Sequence, residues 1–122
     1  MKIVIAIDSW KGSLTSLEAG DAIQTGILRA IPDAEVSVRP LADGGEGTVE
    51  ALVLGMNGKN ISVTVSGPLG IPVDCTYGIL EDQQTAIIEM AGAAGITLVP
   101  TGKRNPLNTT TYGVGEVIKD AI

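Results

Sequence analysis

Lys2-Ile3-Val4-Ile5-Ala6-Ile7-Asp8-Ser9 is the stretch on which the fold turns. An unbroken apolar run that ends on polar residues suits a strand buried on both faces, delivering a loop from its C-terminal end. Such strands belong to parallel sheets, so a helix should come next. Thr15 followed three residues later by Glu18 has the capping-box spacing, and Leu17, Gly20, Ile23, Ile27 and Ile31 recur at helical intervals until Pro32. Val36 and Val38 then alternate with polar neighbours before Pro40, giving a second strand whose C-terminal loop reads LADGGEGT, residues 41–48. A second helix is expected from about Gly45 to Leu54, stopped at Gly55. Strand, loop and helix have by then occurred twice.

Further along, Ile61, Val63 and Val65 alternate in a third strand, closed by the turn Gly67-Pro68-Leu69-Gly70. Val73 to Leu80 and Thr85 to Met90 read as an antiparallel hairpin joined by Glu81-Asp82-Gln83-Gln84. Ala91 to Gly95 suits a single helical turn, Pro100 to Thr111 is polar and turn-rich, and Val114, Val117, Ile118 and Ala121 share one helical face. That last helix reaches Ile122 without a cap, an ending that suggests a piece of a longer protein. The expected class is α/β, a parallel sheet with helices on both faces.

Composition narrows the chemistry. The 122 residues are one-domain sized and 44% hydrophobic, yet contain no Phe and one Trp, so the core must come from Val, Ile, Leu and Ala. The net charge is −6 and the eight Lys and Arg are scattered, which excludes a phosphate-neutralising surface and nucleic acid as a partner. No apolar run approaches the roughly 20 residues that cross a bilayer, so no membrane is expected. Cys75 is alone and the first residues read as a strand instead of a signal peptide, consistent with a reducing, cytoplasmic setting. Histidine is absent, which removes the commonest general base and metal ligand. Carboxylates, Lys, backbone amides or a bound metal must do the work.

Three loops are candidates. In LADGGEGT, Gly44, Gly45 and Gly47 let backbone amides approach an anion at a helix start, with Asp43 at the entrance as a base for a substrate hydroxyl or a magnesium ligand. Asp43 and Glu46 also have capping-box spacing, which needs no ligand. In DSWKGS, Lys11 offers a point charge for a carboxylate or phosphate, and Ser9 and Ser13 offer hydrogen bonds, at the place where open α/β sheets hold ligands. A solvated Lys11 and Trp10 as a lid on the helix end fit the same residues. In RNPLNTTTYGVGE, Asn105 and Thr110 precede a helix interrupted by Gly113 and Gly115, a sign of close approach by a ligand or another backbone. Glu89 is a further carboxylate near a strand end. Gly58-Lys59 is followed by Asn60 and Gly102-Lys103 by Arg104, so no Walker-type phosphate loop is present.

At these same residues the chain resembles the bacterial-type glycerate kinase family. MKIVIAIDSWKGSL, LADGGEGTVEAL, VSGPLGIPVDCTYGIL, TAIIEMAGAAGITLVP and RNPLNTTTYGVGEVI carry the resemblance, in family order and spacing. Ile7 stands where the family has proline and Trp10 where phenylalanine is usual; both leave the polar positions intact. The resemblance implies the N-terminal portion of a two-domain kinase, with residues 1–66 in a Rossmann-like domain and 67–122 beginning an inserted α/β domain. It implies ATP with Mg²⁺ as donor and D-glycerate as acceptor, 2-phosphoglycerate as product, and a cleft containing Asp43 and Lys11 as catalytic groups. Ser9, Ser13, Gly44, Gly45, Gly47, Glu89, Asn105 and Thr110 would bind substrate or phosphate there. A strand edge left bare would also invite self-association into a homo-oligomer.

Overall fold

The computed structural model describes residues 1–10 and 13–122. β1 (Lys2–Ile7) and β2 (Glu35–Pro40) pair in parallel, with Ile3 opposite Val36 and Ile5 opposite Val38. The crossover is α1 (Ser16–Ala30), and its capping box forms as the spacing predicts. Glu18 N–H donates to Thr15 Oγ1 at 3.2 Å, and Thr15 N–H donates to Glu18 Oε2 at 2.8 Å. α1 lies along both strands and closes down through Gly20, where a Cβ would collide with Val38 Cγ1.

The other face of this pair carries no helix among the described residues. Val4 is 68% exposed there, with Ala6 and Arg39 also open. The second helix, α2 (Thr48–Gly55), packs elsewhere: its Val49 and Val53 side chains meet Gly78 in the next sheet.

That sheet is antiparallel, in the order β3 (Lys59–Ser66), β4 (Pro72–Ile79), β5 (Ala86–Ile87). Ile61 faces Tyr77, Val63 faces Cys75 and Val65 faces Val73. The β3 ladder runs to β4 along its whole length and does not pair with β2. A short local turn explains the choice, because closing a small loop costs less entropy than pairing with a distant strand. Gly70, at φ +75°, supplies the left-handed residue that this turn requires.

β5 is shorter than expected. The Gln84 and Thr85 N–H groups both turn in to Asp82 Oδ1 at 2.9 Å, and the chain leaves the ladder after Ile87. α3 (Met90–Ala94) and three 3-10 turns at Ile96–Leu98, Thr101–Lys103 and Pro106–Asn108 then lead to α4 (Tyr112–Ala121). The core lies here, where Val65, Cys75, Tyr77, Ala93 and Val117 pack together and Val117 is wholly buried. Two polar bonds fasten α4 to the sheet: Ser66 N–H donates to Glu116 Oε2 at 2.6 Å, and the Tyr77 hydroxyl donates to Asp120 Oδ2 at 3.0 Å.

Candidate active site

Because β1 and β2 run in parallel, both deliver their C-terminal loops to one edge, and Leu41 N–H donating to Ile7 O at 2.9 Å ties the two exits together. This is where open α/β sheets place ligands. The second of these loops is shaped by its glycines. Gly44 (φ +93°) and Gly47 (φ +86°) are left-handed, and a Cβ at either would meet nothing within 4 Å, so the backbone lies open to an approaching group.

Asp43 is exposed and its Oδ1 accepts from Gly45 N–H at 2.8 Å, a bond that folds the loop back on itself. The capping box that the spacing of Asp43 and Glu46 offers does not form. Left-handed Gly47 takes the N-cap position, so α2 begins at Thr48, three residues later than expected. Glu46 turns outward instead, and its Oε1 accepts from the Thr97 hydroxyl at 3.0 Å.

Glu89 stands two residues beyond β5, near a strand end as expected. Its Oε2 accepts from Val49 N–H at 3.0 Å, which sets a carboxylate on the N-terminal end of α2. The partial positive charge of that helix end thus already has an internal anion. Glu89 is therefore a brace between α3 and α2 in this structure.

Two hollows flank Glu46, which lines both. The smaller, about 290 Å³, gathers Ser9, Ser13 and Gly47, with Trp10 at its side. Trp10 is 60% exposed, which makes it a poor lid. This hollow also carries the carboxylates of Glu18, Glu46 and Glu50. Glu18 is held below the usual carboxylate range, first by the Thr15 N–H it accepts and then by the Thr15 hydroxyl. Lys11 lies outside the described residues.

The larger groove, about 920 Å³, gathers Gly45, Asn105 and Thr110 between an apolar wall, which includes Met90 and Ile96, and a polar one. Asp43, Gly44 and Glu89 line neither hollow. Asn105 and Thr110 are partly engaged in shaping their own loop: Asn105 Oδ1 accepts from Leu107 N–H at 3.0 Å, and Thr110 Oγ1 accepts from Tyr112 N–H at 3.1 Å. Thr110 N–H also reaches Pro68 O at 3.0 Å, fixing the loop to the turn after β3.

Sequence reasoning passed over Arg104, Glu46 and Thr97. Arg104 lines the larger groove, and its Nε donates to Val99 O at 3.1 Å. Its signal was present, since it opens the same string as Asn105 in a chain with only eight cations. The Glu46 and Thr97 pairing had no local signal.

A metal fits here only in company. No group of three or more Cys, Asp or Glu able to hold one occurs among the described residues. Mg²⁺ suits that situation, because it keeps several waters and takes one or two carboxylates beside substrate phosphates. Asp43, exposed beside an open glycine turn, is the carboxylate suited to that role.

A glycine turn at the carboxyl edge of a parallel strand pair, beside a groove lined by both apolar and polar residues, places this chain among α/β proteins whose carboxyl edge is open. The particular family is shown by comparison: the chain belongs to the glycerate kinase family, whose model matches residues 3–122. It is 56% identical to the glycerate kinase of Haemophilus influenzae and 50% identical to the glycerate 2-kinase of Escherichia coli K12, in each case over 100% of this chain and 32% of the relative. A crystal structure from Salmonella typhimurium LT2, provisionally assigned as a glycerate kinase 2, superposes with a TM-score of 0.76 at 51% identity, covering 99% of this chain and 32% of that one. The chain thus spans about a third of the length of the relatives it matches. None of its described helices is long and apolar enough to cross a membrane.

Proposed function

We propose that this chain supplies part of the active site of a cytoplasmic, ATP-dependent kinase that phosphorylates D-glycerate, giving 2-phosphoglycerate. The observation that carries the reading is the exposed Asp43 and left-handed glycine turn at the carboxyl edge of β1 and β2, in a chain that belongs to the glycerate kinase family. The name of the E. coli relative, glycerate 2-kinase, supports the choice of product.

In this reading Asp43 accepts the proton of the glycerate hydroxyl that attacks, or polarises it, while its bond to Gly45 holds the carboxylate in place. Amides of Gly44 and Gly47 face the transferring group, Gly45 shapes the turn through its bond to Asp43, and Lys11, Ser9 and Ser13 neutralise and orient charge from the neighbouring loop. Asn105 and Thr110 close the far side. Glu89 acts from behind, by fixing the helix that follows the glycines. Mg²⁺, bound with the nucleotide, supplies neutralisation of phosphate charge. Phosphoryl transfer rests mainly on positioning and electrostatics, so a chain without histidine is adequate to the task.

A coupled ADP-release assay with ATP, Mg²⁺ and D-glycerate on the gene's full-length product tests this. Turnover by the wild type that falls about 100-fold or more in Asp43→Asn, with the fold intact, is the expected result. An Asp43→Asn enzyme with normal turnover sinks the role of Asp43, and a wild type without turnover sinks the activity.

A further inference from the structure

We infer that Arg104 is the anion receptor of the larger groove, taking a pair of oxygens from a carboxylate or phosphate of the bound ligand. The inference deepens the proposed function and rests on it for the identity of that ligand.

The two hollows differ in charge. Around the smaller one, the described lining has three carboxylates, Glu18, Glu46 and Glu50, and no cation. Around the larger, Arg104 is the only cation in the described lining and Glu46 the only carboxylate, its Oε1 already engaged by the Thr97 hydroxyl. Among the described residues, the larger groove thus carries a cation that a small anionic ligand would meet.

Arg104 is solvent-exposed, yet one end of its guanidinium is held in place. Its Nε is spent on Val99 O at 3.1 Å, and Val99 is itself only 5% exposed, so the acceptor is anchored in the core. That bond fixes the plane of the guanidinium. An arginine pinned at Nε still presents its two terminal nitrogens as a fork, which matches paired oxygens, and less entropy is lost when they are taken up. Asn105 and Thr110, by contrast, use side-chain oxygens to hold their own loop. The groove thus pairs a pre-oriented cation with apolar lining residues such as Met90 and Ile96.

Isothermal titration of the gene's full-length product separates the sources of the anion. Wild type, Arg104→Gln and Arg104→Lys are each titrated with D-glycerate alone and with ATP alone, after checking that the melting temperatures agree. A rise of about 10- to 100-fold in one Kd for Arg104→Gln is expected, with Arg104→Lys recovering only part because a point charge lacks the fork. A rise confined to D-glycerate assigns a carboxylate; a rise confined to ATP assigns a phosphate. Unchanged Kd values for both ligands in Arg104→Gln, or no binding of either by wild type, overturn the inference. Binding that depends on Arg104 without turnover of glycerate would leave the receptor standing and remove the proposed reaction instead.

Discussion

Glu89 and Asp43 show how one functional group takes two tasks on either side of the glycine turn. Asp43 Oδ1 accepts from within its own loop, bending it, while the Glu89 carboxylate reaches across to the first turn of α2. A hydrogen bond from a half-buried backbone N–H to a carboxylate is among the stronger kinds, and losing it leaves the donor unsatisfied. Glu89→Ala should therefore cost about 1–2 kcal/mol in urea unfolding, and Glu89→Gln, which keeps an acceptor, clearly less. No loss in Glu89→Ala would show that the brace contributes nothing. The sequence announced both carboxylates but could not say which faced solvent. Thr15 and Glu18 formed the box their spacing promises; Asp43 and Glu46, with the same spacing, did not, because two left-handed glycines lie between and after them. Local pattern decides only where the backbone between its members can be helical.

Among the elements, α4 is the most informative. Its two glycines looked alike in the sequence, and they are not. A Cβ at Gly113 would fall on the Ser66 carbonyl oxygen, a backbone atom that cannot swing aside, whereas one at Gly115 meets nothing within 4 Å. Gly113→Ala should push α4 off β3 and cost about 1–3 kcal/mol. Gly115→Ala should stabilise by about 0.5–1 kcal/mol through helix propensity alone. Opposite signs in thermal denaturation would confirm the packing, and a harmless Gly113→Ala would refute it. Strands and helices were legible from periodicity, since β1 through β4 and α1 all lie where the pattern puts them. Pairing was not, because nothing in the alternation of Ile61, Val63 and Val65 says which neighbour they meet. The 3-10 turns between Ile96 and Asn108 likewise leave no periodic trace, and the groove they wall was legible only as a polar, turn-rich stretch.

The whole chain is two sheets of unequal support. β1 and β2 are backed by α1 alone among the described elements, with Val4 open on the other side, whereas β3 and β4 are backed by α2, α3 and α4. A two-stranded sheet is marginal by itself. Hydrogen exchange on this 122-residue chain should therefore find the amides of Ile5 and Val38 exchanging about tenfold or more faster than those of Val65 and Cys75. Uniform protection would mean that the two sheets open as one unit. The braces across the glycine turn carry one more consequence, in the order of events during synthesis. Val49 and Glu89 are 40 residues apart, and Glu46 and Thr97 are 51 apart. At about 5–20 residues per second a ribosome needs roughly 2–10 s to supply the partners after it has made the turn. The glycine turn is thus made seconds before the residues that hold it in its final shape.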